Sequence, residues 1–317
     1  MRKTTCVLCF LVLLFSVVSA FSEEGILITK ESGGEFRPLP ISLDGGSPLP
    51  LTYKYNKNYE FYEDPTIRVE RHRVDRCKWG VTYWYALITI QDPSQLRTAS
   101  ASETNPFMDS AKTPCVSMAR RKKAVLAING DYCATFSGIK ASNYTLRQGT
   151  VYRDSITPGL DILLIDEDGD FHILTPDDTD LETADKTQIN EKKVVNAFQF
   201  GPALVRDGQP VPDETVLDPD RSPAYSKPAQ RAQRMCICQI DELHYMTLCV
   251  ANWGLDLASL RDLAMSLAPV KTVYTLDGGQ SSQIVFLGDH YNKYANGNKE
   301  ARPITDIIYF ASAWFTE

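Results

Sequence analysis

The sequence predicts an α+β fold, a mainly antiparallel mixed sheet with one or two packed helices. Three observations carry this. From Ile67 onward, short apolar and aromatic runs alternate with turn residues. Several runs come in pairs joined by tight acidic or glycine-containing turns. Few stretches show a helical period, and the strands do not alternate regularly with helices as a βαβ array would require.

The elements follow in order. Met1 to Ala20 has a basic head, Arg2 and Lys3, an apolar run from Cys6 to Val18, and small residues before Ala20. That is the layout of a cleaved secretory signal. The run is short for a membrane span, which needs about 20 residues, so export without a stable membrane anchor is expected. Residues 21–65 are rich in Gly, Pro and polar side chains, with prolines at 38, 40, 48 and 50, and read as an irregular arm or linker. Residues 66–317 form the domain.

Within it, "VTYWYALITIQ" is a long strand, and "PCVSMARRKK" a helix feeding the strand "AVLAI". The basic run Arg120 to Lys123 suits that helix's C-terminal end. "LDILLIDEDGDFHIL" is a hairpin, and "VVNAFQFGPALVRDGQPV" suggests a further strand pair. "RMCICQIDELHYMTLCV" folds back near Glu242. "DLASLRDLAMSLAP" is the clearest helix, capped by Asp256 and stopped by Pro269, with Leu257, Leu260, Leu263, Ala264 and Leu267 on one face. "KTVYTL", "SSQIVFL" and a long closing strand in "PITDIIYFASAWF" complete it.

Composition narrows the partners. The chain has 33 basic and 40 acidic residues, a net charge of -7. Loss of Arg2 and Lys3 with the signal leaves 31 against 40, or -9. An acidic surface with one short basic run does not fit nucleic acid or anionic membrane. Six cysteines remain after the signal: Cys77, Cys115, Cys133, Cys236, Cys238 and Cys249. If the 234–250 hairpin turns near Glu242, Cys236 faces Cys249, so a bridge there and buried free thiols are both open. Four histidines, none spaced against these cysteines, give no support for zinc.

The tetrapeptide Leu-Asp-Gly-Gly occurs twice, at Leu43–Gly46 and Leu276–Gly279. The first lies among prolines with no strand before it and reads as a turn. The second stands at the end of an apolar strand, where Gly278 and Gly279 let the backbone turn and Ser281 and Ser282 add hydroxyls. "AVLAI" likewise delivers Asn129-Gly130-Asp131 at a strand end.

"AVLAINGDY", "FGPALVRDG", "QRMCICQ", "TLDGGQSSQIV" and "EARPITDIIYF" resemble, in order and spacing, the phosphodiester glycosidase family over roughly residues 80 to 315. The chain departs from the family pattern at Asp131-Tyr132-Cys133, at Gln280 and at Met235 to Cys238. The resemblance implies cleavage of a sugar's C1–O bond, the leaving oxygen belonging to a phosphate, with a GlcNAc-like sugar. It implies a carboxylate at Asp277, with Asp131 second. Arginines suited to bidentate phosphate binding would be Arg234 and Arg302, Arg231 being the competitor for the former role. Asn129, Gly130, Gly278, Gly279, Ser281 and Ser282 would shape or contact the substrate. No cofactor is called for, and a divalent cation is left open. A secreted glycan-binding module without turnover and a metal-assisted phosphodiesterase splitting P–O are the other readings. Asn143-Tyr144-Thr145 is a glycosylation sequon. Among the tryptophans Trp253, expected in a loop after a hairpin strand, is the preferred sugar-stacking residue.

Overall fold

A computed structural model describes residues 35–41, 61–75, 78, 80–131, 143–223, 225–293, 300 and 302–316. Asp44, Cys77 and Cys133 lie outside the described residues, as do residues 1–20, expected as the signal.

The fold is α+β, and every strand pairing described is antiparallel. The largest sheet has eight strands, with Thr272–Leu276, Ala232–Asp241 and His244–Leu255 at its centre and Phe61–Asp64 at one edge. A five-stranded sheet centres on Leu126–Asn129 and Asp306–Phe310. A third sheet carries Thr145–Arg147, Ile162–Asp166 and Lys192–Gln199. Met235, Ile237, Tyr274 and Leu276 of the large sheet pack with Leu126, Ile128, Ile308 and Phe310 of the second in one core.

The opposite face of the large sheet is covered by the helix Leu257–Leu267, capped by Asp256, which accepts from the Ser259 amide. Leu257, Leu260, Leu263 and Ala264 are its buried stripe. The helix Cys115–Arg121 packs on the five-stranded sheet. Its basic end is anchored as well as solvated: Arg120 donates to the Gly288 carbonyl, and Arg121 pairs with Glu103.

Four expectations need correction. The stretch 21–65 is not uniformly irregular, since Glu35–Arg37 pairs with Trp314–Thr316 and Phe61–Asp64 with the strand Ile67–Val74. The closing segment is split, Asp306–Phe310 and Trp314–Thr316 joining different sheets. Lys192–Gln199 and Ala203–Arg206 do not pair, because the chain crosses from one sheet to another at Gly201-Pro202. Finally, the hairpin register sets Cys236 against Leu248 and Met235 against Cys249. One residue of offset sends side chains to opposite faces, so Cys236 and Cys249 point into different cores. Cys115, Cys236, Cys238 and Cys249 are buried free thiols.

Asn143 of the sequon is also buried, its side-chain amide donating to the Gln199 carbonyl. In the folded protein it is closed to a glycosylating enzyme.

Candidate active site

The two strand ends that carry the expected site residues meet. Leu126–Asn129 ends in the five-stranded sheet and Thr272–Leu276 in the large sheet, and the two ends are tied together. The Asn129 side-chain amide donates to the Asp277 carbonyl at 2.7 Å and to the Gly130 carbonyl at 3.0 Å, while its Oδ1 accepts from the Gln283 amide. The Asp277 amide donates back to the Gly130 carbonyl. Asn129 therefore spends its hydrogen-bonding capacity on the scaffold, and its main role is to fix where Asp277 stands.

Asp277 lies where two cavities meet. The larger, of about 310 Å³, is lined by Phe200, Tyr225, Arg234, Leu257, Asp277–Gln280 and Arg302, among others. The smaller, of about 10 Å³, has Asn129, Gly130, Asp277, Ser281, Arg302 and Asp306 in its wall. It is at the lower limit of space for a single water. Burial pushes the Asp277 carboxyl up to about 6, against the lowering effects of the Ser281 hydroxyl and the Arg302 charge. A carboxylate titrating there is mostly ionised at neutral pH yet basic enough to take a proton.

Asp131 is not on either cavity. It is fully buried and paired with Arg147 at 2.8 Å, and it accepts from the Gln199 amide. Arg147, also fully buried, reaches Asp306 at 3.4 Å and donates to the carbonyls of Leu146 and Ala197. Its guanidinium lies 3.9 Å from the centre of the Phe198 ring. Burial raises both carboxyls, and Asp306 is pushed up to about 7 by burial and by the charge of Asp131, against the pull of Arg147. Asp131, expected as the second catalytic carboxylate, thus stands apart from both cavities. Its carboxylate is the counterion of Arg147, and Asp306 is the second acid that opens on the site.

Arg234, expected at the phosphate, is taken up by the fold. Its Nε donates to the Leu255 carbonyl, Nη1 to the Ser226 carbonyl and hydroxyl, and Nη2 to the carbonyls of Lys227 and Gln230. All five donors are engaged, so none is left for a phosphate. Arg234 keeps its charge, its pKa lowered by burial to about 10. It is a clamp behind the wall of the larger cavity. Arg231 serves similarly, its Nε donating to the carbonyls of Trp253 and Gly254. Arg302 borders both cavities beside Asp277.

Gly278 and Gly279 line the larger cavity, Gly279 at φ +57° with open space beside it. Ser281 is on the smaller one, whereas Ser282 is buried off both, with its hydroxyl unpartnered among the described residues.

Gly130 is required for space. A Cβ there would overlap the Asp306 carboxylate, which Arg147 holds in place. Gly130→Ala is expected to cost about 1–3 kcal/mol, as overpacking a filled core does, measured as a fall in unfolding midpoint; an unchanged midpoint would mean Asp306 moves freely.

Sequence reasoning missed Arg147, Asp306, Phe200 and Tyr225. Asp306 had a signal, an acid opening an apolar strand inside the "EARPITDIIYF" segment. Arg147 had almost none beyond a charge in a strand of otherwise uncharged residues. No group of three or more His, Cys, Asp or Glu side chains is arranged to hold a metal among the described residues. Where acids do gather, at Asp166, Asp168 and Asp170, the Lys192 ammonium sits among them.

The phosphodiester glycosidase (NAGPA) family model matches residues 122–311. The chain belongs to the phosphodiester glycosidase family. No curated protein matches its sequence. Among solved structures it resembles the zebrafish N-acetylglucosamine-1-phosphodiester alpha-N-acetylglucosaminidase catalytic domain auto-inhibited by its pro-peptide. That match has a TM-score of 0.61 at 16% identity, covering 90% of this chain and 97% of the other. A hypothetical protein from Synechocystis matches with a TM-score of 0.50 at 14% identity, covering 80% and 62%. At these identities the structural likeness speaks for the fold. The family match spans Asp131, Arg147, Arg234, Asp277, Arg302 and Asp306 alike. No helix among the described residues is long and apolar enough to cross a membrane.

Proposed function

We propose that this protein is an exported hydrolase that releases a sugar, GlcNAc-like, from a sugar-1-phosphodiester by cleaving C1–O. The observation that carries the reading is Asp277, a buried carboxylate titrating near pH 6 with Arg302 beside it at the junction of the two cavities. A phosphate monoester leaves readily, so the reaction asks less of a general acid than ordinary glycoside hydrolysis does. It asks for a cation at the phosphate and a base or nucleophile at the anomeric carbon. Arg302 supplies the first. Asp277 supplies the second by taking a proton from water as the water attacks C1. The small cavity between Asp277 and Asp306 is where that water stands. Family membership supports the substrate class, and the signal-like N-terminus supports export to the cell surface or beyond.

Hydrolysis of a GlcNAc-1-phosphodiester in ¹⁸O-labelled water tests the reaction. Label is expected in the released sugar. Label in the phosphate product would overturn the proposal in favour of P–O cleavage, and binding without release would favour a non-catalytic glycan-binding module.

A further inference from the structure

Gln283 follows the turn that carries Asp277 and precedes the strand Ile284–Phe286, and it is completely buried. A buried primary amide must find partners for both its oxygen and its nitrogen. The oxygen accepts from the Cys115 amide, the first of the helix Cys115–Arg121, at 3.2 Å. The nitrogen donates to the Arg302 carbonyl at 2.8 Å and, at the longer distance of 3.5 Å, to the Ser281 carbonyl. The main chain of Gln283 is paired with Asn129. Its amide donates to Asn129 Oδ1 at 3.1 Å, and its carbonyl accepts from the Asn129 amide at 3.3 Å. One residue thus spans the helix start, the Arg302 main chain and the asparagine that fixes Asp277.

The two residues held through their carbonyls are those that act on Asp277. The Ser281 hydroxyl bonds to its carboxylate and the Arg302 charge lies near it, both favouring ionisation against the burial that opposes it. The other charged groups about Asp277 are Lys112 and Asp306 on the smaller cavity, Arg234 on the larger, and the buried Asp131–Arg147 pair. Arg234 and Arg147 are fastened by their own guanidinium groups, which donate to main-chain carbonyls. Arg302 is fastened at its main chain. Gln283 takes its carbonyl, and two residues on, Ile304 exchanges hydrogen bonds with Thr113 at 2.9 Å each way. A guanidinium at the end of a long side chain reaches a fixed point only when its Cα is fixed, and small misplacements at a site are costly.

We propose that Gln283 is a positioning residue, its side-chain amide holding the Arg302 main chain so that the guanidinium stands beside Asp277 and meets the substrate's phosphate there; the phosphate part rests on the phosphodiester reading above. Gln283 lines neither cavity, so it acts through Arg302 and not on the substrate. The same amide steadies Ser281, whose hydroxyl is the other group that favours the Asp277 carboxylate.

The test is a double-mutant cycle read in two ways. Gln283→Met keeps the length of the side chain and removes both polar groups. It is expected to raise KM for the methyl diester of GlcNAc-1-phosphate about tenfold, and Arg302→Met about a hundredfold, with kcat less affected. In the Arg302→Met background Gln283→Met should add less than about twofold, because the group it positions is already gone. Losses that multiply to about a thousandfold in the double variant would overturn the proposal. The second readout needs no turnover: the Asp277 carboxyl is followed by ¹³C NMR as pH is varied. Its midpoint should rise in Gln283→Met, since the charge that favours the carboxylate has moved away. An unmoved midpoint would also overturn the proposal. A native protein that hydrolyses no diester, with the midpoint still raised by Gln283→Met, would keep the positioning of Arg302 and remove the phosphodiester reading. Hydrolysis with KM and midpoint both untouched by Gln283→Met would do the reverse. Gln283→Asn, one methylene too short to span from the Cys115 amide to the Arg302 carbonyl, takes the same measurements if Gln283→Met does not fold.

Discussion

Asp277→Asn is expected to lower turnover of a GlcNAc-1-phosphodiester by about 10²–10⁴-fold, the usual contribution of a positioned acid or base. The amide fits the same space and can still accept from the Ser281 hydroxyl, so folding survives. What it loses is the ability to take a proton from water. The native enzyme's kcat/KM is expected to rise with pH and level off above about 6, where Asp277 becomes ionised. A profile that falls across the same range would make Asp277 a proton donor instead, and full activity in the variant would remove Asp277 from the chemistry.

The same substitution has an opposite effect on stability. Burial holds the Asp277 carboxyl at about 6 in the folded state, above the 3.8 of a free aspartate. Below both values the carboxyl is neutral in folded and unfolded chains alike, and no penalty arises. Above pH 6 the folded state must bury a charge that the unfolded state exposes to water. Asp277→Asn should therefore be stabilised relative to the native protein at pH 8, by roughly 3 kcal/mol, and unchanged at pH 3. Thermal denaturation at the two pH values measures it. A site that stabilises the chain when disarmed is one held for function at the expense of the fold.

Arg147→Met is expected to destabilise the protein by about 3–5 kcal/mol, the cost of breaking a buried ion pair from one side. The arginine is completely buried between Asp131 and Asp306, and its removal leaves both carboxyls without their cation. Arg147→Lys should recover only part of the loss. A single ammonium cannot reach two carboxylates and two carbonyls in the plane that the guanidinium spans. Asp131→Asn in the Arg147→Met background should restore much of the stability, because it removes the charge that the arginine was there to neutralise. Denaturant unfolding of the four proteins completes the cycle. Additive losses would show that the pair is energetically independent.

Much of the fold was legible. The period of "DLASLRDLAMSLAP" and its Asp256 cap are local signals, and the helix stands where they place it. The hairpins 162–174 and 232–255 follow from apolar runs around acidic turns. The Pro-rich stretch hid Phe61–Asp64, an edge strand that forms because Ile67–Val74 is there to pair with it. Trp253, expected in a loop, belongs to a strand interrupted by a bulge, a feature that only the register of its partner reveals.

The sequence by itself determined that this chain is mainly antiparallel strands with few helices, and that Asp277 ends an apolar strand on a glycine turn. It also carried the family, because ordered motifs survive where overall identity does not. Only the tertiary structure decided which groups share the site. Asp131 and Asp306 bind one arginine lying 16 and 159 residues away from them along the chain. Arg234 is held by a loop whose carbonyls it satisfies, and Cys236 missed Cys249 by one residue of register. Periodicity and turn chemistry are properties of neighbours in sequence, and a few residues suffice to state them. A buried charge is assigned by whatever polar groups packing brings within about 3 Å, and that is settled only when the sheets have closed on one another.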